Sequence, residues 1–320
     1  MSKKLIGIDL GGTTTKMAFL DENGEVLDKW RILTDISDEG SHIMPNVIAS
    51  IRKHIEDAGR TPDDFIGIGM GTPGAVDRNN GSVSEAFNLN WRTSQPIRQE
   101  IQDELGLPFA VDNDANVAAL GEYWKGAGSA EEDVVFVTLG TGVGGGVIAN
   151  GKLLHGVNGG AGEVGHIAVQ PDGYQCTCGK RGCLETYASA TGVVRLAADM
   201  AQSFHGTSRL AELEQTDEKI TSKLVFYLAD NGDILANQVV DRVCFYLGLA
   251  LSSIGNTLNP ASIIIGGGVS SAGNTLLQPT TKYFQDNAFP SIRNSTKLRL
   301  AELGNDAGVI GAASMALQFR

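Results

Sequence analysis

Apolar residues recur along this chain with two periods, and each change of period marks an element. Short runs rich in Val, Ile, Leu and Phe predict strands at 5–10, 16–20, 26–32, 65–70, 108–111, 134–139, 143–149, 152–154, 261–265 and 298–303. Spacing near 3.6 predicts helices. The clearest covers 44–57, with apolar residues at 44, 47, 48, 51 and 55. Others cover 97–105, a stretch holding Val117, Leu120 and Trp124, then 185–201, 234–257 and 308–318. Strands and helices alternate, so the fold class is α/β.

The order of parts occurs twice. Strand 5–10 is followed by a Gly-Gly-Thr loop, a second strand, an Asn23-Gly24 turn and a third strand. From Val134 the same succession returns through Gly140-Thr-Gly142 and an Asn150-Gly151 turn. Leu10-Gly-Gly-Thr aligns with Leu139-Gly-Thr-Gly at an offset of 129 residues, and the two Asn-Gly turns align at 127. This is a duplicated domain. Two such hairpins facing each other would place two glycine and threonine loops across one cleft, where backbone N–H groups and hydroxyls make anion nests. Gly11, Gly12, Thr13 and Thr14 form the first loop, and Thr141 and Gly142 lie in the second. Asp9 can hold Mg²⁺ directly or through water, and Lys16 can offset phosphate charge. The plainer alternative for these residues is a pair of tight turns with a turn carboxylate and an exposed lysine.

Gly140-x-Gly142-x-x-Gly145 also satisfies a dinucleotide-binding pattern. That pattern must open a helix, whereas a β-rich run and an Asn-Gly turn follow here, so the match is rejected. A third glycine cluster, Gly266-Gly267-Gly268, ends strand 261–265; it either flanks a nucleotide's base or ribose or makes a turn into a helix. Gly71-Thr-Pro-Gly74 can bring backbone close to a ligand, with Asn88 a little later.

Strand 108–111 ends in Asp112-Asn113-Asp114, where a helix starts, so one of the three is its N-cap. Three cap-type residues exceed what a cap requires. A carboxylate at a helix N-terminus is held ionised by the helix dipole and can take a proton from an alcohol. Asp114 is assigned that task, and Asn113 a hydrogen bond to substrate.

Composition narrows the partners. Thirty-seven acidic against 25 basic residues give a net charge of −12 with no basic run, which disfavours nucleic acid and anionic membranes. Residues 243–281 carry no charge, but Pro260 and many polar residues interrupt them, so they predict a buried helix and strand, not a membrane span. Asp9 ends the first apolar run too early for a signal peptide, and a cytoplasmic location is expected. Forty-one glycines, about twice the usual share, fall in clusters, as ligand-hugging loops require. Length suggests about two domains.

Three of the four cysteines lie within eight residues, as Cys176-x-Cys178 and Cys183, with His166 ten residues upstream and glycines at 179 and 182 to curl the backbone. This predicts a closed Cys3His site for structural Zn²⁺, which acts by fixing its neighbours. Those neighbours are Glu163, Glu185 and the free ring nitrogen of His166. They are either the donor and acceptors that a polyhydroxylated ligand needs or solvated surface groups. Cys244, in an apolar helix, is expected to be inert packing.

Taken in order, Asp9-x-Gly-Gly-Thr-x-x-Lys16, Asp112-Asn-Asp-Ala-Asn116, Leu139-Gly-Thr-Gly-Val-Gly-Gly-Gly146, Glu163-Val-Gly-His166 and Cys176-x-Cys-Gly-x-x-Gly-Cys183-x-Glu185 resemble the ROK family, and within it the ATP-dependent bacterial glucokinases. The resemblance runs from about residue 5 onward. It implies an actin-like, hexokinase-type fold of two ribonuclease-H-like domains around a cleft, with a smaller domain of 1–114 plus 305–320 and a larger one of 115–304. It implies that Asp114 deprotonates the primary hydroxyl of a sugar, that Asn113, Glu163, His166 and Glu185 hold the sugar beside Gly74 and Asn88, and that the glycine loops hold ATP. Zinc on His166, Cys176, Cys178 and Cys183 is also the family's pattern, as is a homodimer or larger assembly. Glucose is the expected substrate. Fructose, mannose or an N-acetylhexosamine are the alternatives, and a sugar sensor without catalysis is a further one. Family repressors carry a DNA-binding segment ahead of this core, and a first strand at residue 4 or 5 weighs against that class.

Overall fold

A computed structural model describes residues 3–320. Its first sheet has the order β3-β2-β1-β4-β7, built from β1 (Lys4–Leu10), β2 (Thr14–Leu20), β3 (Val26–Leu33), β4 (Phe65–Thr72) and β7 (Phe109–Asn113). The second has the order β10-β9-β8-β11-β12, from β8 (Val134–Leu139), β9 (Val143–Ala149), β10 (Lys152–Leu153), β11 (Ser262–Gly266) and β12 (Lys297–Leu300). Strand for strand the two orders are the same, which is the duplication expected from the sequence. In each, an antiparallel meander is extended by parallel strands on the side of its first strand. β1 and β4 are almost wholly buried and correspondingly apolar, while the edge strand β3 carries Lys29 and Arg31 and is mostly exposed.

Two compact units divide the chain. One takes it through Ala130 and adds Leu153–Ala161 and Asn305–Arg320; the other comprises Glu131–Lys152 and Gly162–Gly304. The helix Asp114–Lys125 belongs to the first unit, where it packs against the helix Ala307–Met315 through glycines. A Cβ on Gly311 would lie 1.8 Å from the Val117 carbonyl oxygen, and one on Gly121 would lie 2.1 Å from that of Ala307. The same closing helix sits directly on the sheet, since Cβ atoms on Gly7 and Gly69 would meet its carbonyls at 2.1 and 1.8 Å.

In the second unit the helix Ile234–Leu258 runs through the core with Cys244 buried in it. Its length and composition would allow a membrane crossing, but 61% of the apolar window is buried inside the protein. Burial pushes the Cys244 thiol up to about 11, so it stays protonated as an inert core residue.

Three expectations require correction, and several elements were not anticipated. The helix expected over 185–201 is two, Glu185–Ala188 and Ala190–Gln202, because Ser189 turns extended and its Oγ accepts from the Gly192 N–H at 3.0 Å. The last strand stops at Leu300, and the closing helix tightens into a 3₁₀ turn after Met315. Helices Ser222–Asp230 and Asn274–Asn287 were not anticipated, the second because Pro279 lies inside it. A small hairpin, β5 (Ala75–Asp77) with β6 (Ser82–Ser84), was also missed.

Candidate active site

In the first unit the glycine and threonine loop begins where β1 stops. Asp9 faces Lys16 in the β1–β2 register, and their side chains pair at 3.2 Å; Lys16 Nζ also donates to the Asn305 carbonyl at 2.9 Å. Gly308 borders Asp9, with room for nothing larger, since a Cβ there would lie 2.8 Å from the Asp9 Cγ. The loop is fixed from both sides. Gly11 N–H donates to the Thr14 carbonyl at 3.2 Å, Thr34 Oγ1 donates to the Gly11 carbonyl at 2.7 Å, and Thr34 N–H donates to the Thr13 carbonyl at 3.0 Å. Gly12 touches Asn88, whose carbonyl oxygen would be 2.9 Å from an added Cβ. Gly74, with φ +99°, lies against Ser84 and Ala86, so both the backbone angle and the space exclude a side chain.

β7 then delivers Asp112, Asn113 and Asp114. Asn113 is the N-cap: its Oδ1 accepts from the Ala115 N–H at 2.9 Å, which leaves its amide NH2 as the group to offer a ligand. Asp114 is the first helical residue and is exposed, with Oδ1 2.8 Å from the same N–H. Asp112, weighed only as a cap, is buried and accepts from His155 Nε2 at 2.6 Å, Asn116 Nδ2 at 2.9 Å and its neighbour's N–H at 2.8 Å. Burial pushes this carboxyl up, but the His155 and Asn116 hydrogen bonds, the His155 charge and the Asn113 N–H outweigh it and hold it below the ordinary range.

In the second unit Gly140 N–H donates to the Gly142 carbonyl at 2.9 Å, and Thr191 Oγ1 donates to the Thr141 carbonyl at 2.8 Å, leaving the Thr141 side chain exposed. Glu185 braces this loop, since its Oε2 accepts from the Val143 N–H at 3.1 Å and fills the space where Gly142 lacks a side chain. Gly267, at φ +82°, presses on the Leu139 backbone, where a Cβ would come within 2.6 Å, so the third glycine cluster adjoins the second loop. Thr141, Gly142, Thr177, Glu185, Thr191 and Arg195 line a hollow of about 350 Å³. Sequence reasoning missed Arg195 and Thr191, which carry no motif.

The four expected metal ligands converge, their donor atoms all within 4.8 Å of one another. Cys178 Sγ lies 3.6 Å from Cys183 Sγ, and His166 Nδ1 lies 3.6 Å from Cys176 Sγ. Tetrahedral bonds of ~2.0–2.3 Å put ligand atoms ~3.3–3.8 Å apart, so the donor set fits Zn²⁺. Glycines make the knuckle possible: Gly179 and Gly182 have φ of +90° and +73°, and Gly182 abuts the Gln170 carbonyl. Burial and the adjoining thiols push Cys183 up to about 12 while no metal replaces its proton. The other His166 nitrogen, Nε2, faces Glu163 Oε2 at 3.8 Å, and Glu185 Oε1 lies 3.9 Å from Cys176 Sγ. Glu163, His166 and Glu185 therefore all border the cysteine knuckle.

Comparison with known proteins bears directly on these motifs. A curated glucokinase of Halalkalibacterium halodurans is 48% identical over 98% of this chain and 94% of its own. A crystal structure of a ROK family glucokinase from Streptomyces griseus, in complex with glucose and AMPPNP, matches with a TM-score of 0.78 at 36% identity, covering 98% of this chain and 99% of that one. A xylose repressor of Caldicellulosiruptor bescii is 30% identical over 98% of this chain and 78% of its own length. The model of the ROK family matches residues 5–319, and the chain belongs to that family.

Proposed function

We propose that this protein is an ATP-dependent glucokinase, transferring the γ-phosphoryl group of ATP to the 6-hydroxyl of glucose. The observation that carries the reading is the exposed Asp114 carboxylate on the first turn of its helix, beside an N-cap whose amide NH2 is left to a ligand. Likeness to proteins named glucokinase supplies the substrate.

In this reading Asp114 takes the proton of the 6-hydroxyl as that oxygen attacks, a contribution of ~10²–10⁴-fold. Asn113 donates to a sugar hydroxyl, and Glu163, His166 Nε2 and Glu185 hold the others, with Gly74 and Asn88 giving backbone approach. Backbone N–H groups and hydroxyls of Gly11–Thr14 and Thr141–Gly142 cradle the phosphates, and Lys16 adds a positive charge. Gly266 and Gly267 border the nucleoside. Mg²⁺ bound near Asp9 would neutralise developing charge on the phosphoryl oxygens. Structural Zn²⁺ would hold the sugar-binding residues in place and leave no position for substrate. A cytoplasmic homodimer is part of the proposal; light scattering on the purified protein tests its size.

The deciding experiment couples ADP release to a sugar panel of glucose, fructose, mannose, N-acetylglucosamine and N-acetylmannosamine with Mg-ATP. Turnover strongest with glucose is expected. A different preferred hexose would overturn the substrate, and saturable sugar binding without turnover would make the protein a sensor.

A further inference from the structure

The least expected group in the first unit is the Asp112 carboxylate, 5% exposed, at the end of β7. Its partners, three hydrogen-bond donors and one ion-paired arginine, come from three separate places. Asn113 N–H and Asn116 Nδ2 belong to the helix start itself, Arg78 Nε at 3.4 Å comes from the turn after β5, and His155 Nε2 comes from Leu153–Ala161. Asn116 is held to this task at a cost: its Oδ1 is buried and has no hydrogen-bond partner. Reversing the amide would satisfy nothing, because it would set an oxygen against the carboxylate.

The peptide linking Asp112 to Asn113 is thus locked by the Asp112 side chain, and the next turn of helix is locked by Asn116. Asp114 lies between those two anchors. The segment that supplies His155 is also the one that runs on directly into Glu163 and His166 in sequence. We propose that Asp112, held by His155, is a positioning residue that sets the angle at which the Asp114 carboxylate meets the substrate hydroxyl. This rests on Asp114 being the general base. The pair acts on the reacting hydroxyl through the turn between its partners.

His155 is 18% exposed at its side chain and borders an open hollow of about 540 Å³, lined also by Arg78, Asn79, Ser84 and Asn158, so a small molecule can reach it. That makes chemical rescue the appropriate test. Misplacing a reacting group by about 1 Å costs on the order of 10²-fold. In the zinc-loaded full chain, His155→Ala is expected to lose kcat by that order while KM for glucose stays within a small factor. Added imidazole should restore much of the loss, and His155→Gln, whose amide N–H can stand in for Nε2, should keep most of the rate. Asp112→Asn, nearly the same shape, should show the same kcat loss with no imidazole rescue.

A native kcat in either His155→Ala or Asp112→Asn overturns the proposal, as does a loss that follows a fall in Tm and ignores imidazole. Asp114→Asn separates the two levels of argument. Normal turnover in that variant removes the base itself, whereas an inactive Asp114→Asn beside a fully active His155→Ala removes only the positioning role.

Discussion

Asn113 has an observed role as helix cap and a proposed one as sugar donor, and replacing one amide group separates them. Its Oδ1 caps the helix and its NH2 takes no part in the cap, so Asn113→Asp keeps the cap while replacing the donor by a second acceptor. Unfolding midpoints should be unchanged, whereas KM for glucose should rise about tenfold or more. A raised KM accompanied by a lower Tm would mean that the cap, not the sugar contact, was lost. At Cys183 the expectation is opposite in kind: Cys183→Ser should emerge without zinc by elemental analysis and melt earlier, since removing one of four converging ligands opens the site. Cysteine spacing made this site legible from the sequence because thiols seldom cluster without purpose. Asp112 was visible only as one of three cap candidates, and its partner His155, a lone histidine among glycines, gave no periodic or spacing signal at all. The pair exists because chain 43 residues away folds back onto β7, which local patterning does not encode.

Elements were most legible where one face is buried and least where a single polar side chain decides. Ser189 splits what helical periodicity joins, and it does so with one hydroxyl whose conformation the pattern of apolar residues does not see. Asp233 shows what such a residue contributes. It caps the helix Ile234–Leu258 through the Ala236 N–H at 2.8 Å and also accepts from Ser208 Oγ and from the N–H groups of Arg209 and Leu210. Burial pushes its carboxyl up, but these donors outweigh burial and lower it. A lowered carboxylate contributes stability that is present above the unfolded value of ~3.9 and is lost as pH falls through the folded one. Asp233→Ala should therefore destabilise by about 1–2 kcal/mol at pH 7, and its deficit relative to the native chain should shrink below about pH 4 in denaturant titrations. Glycines at helix contacts act through volume. Gly311→Val must displace the Val117 carbonyl, 1.8 Å from the new Cβ, and should destabilise the first unit by about 1–3 kcal/mol or more, while zinc content stays native.

At the scale of the whole chain, the duplication was legible because two loops and two turns recur at nearly constant offsets, and both sheets indeed share one strand order. The extent of each unit was harder to infer. Leu153–Ala161 leaves the second sheet to join the first unit, where His155 meets Asp112, and no boundary-like composition marks the change. Removing zinc should be felt in only one unit: hydrogen exchange should quicken around 163–185 and remain slow in β1 and β4. The closing helix has a consequence in time. β1 and β4 carry glycines at 7 and 69 because Ala307–Met315 lies backbone to backbone on them, so that part of the first sheet stays uncovered until the helix exists. On a ribosome, roughly 175 residues of intervening chain must be made first, about 10–35 s at ordinary elongation rates. The unit begun first is finished last, and the speed of translation through the second unit sets how long the apolar strands of the first stay open to chaperones or to one another.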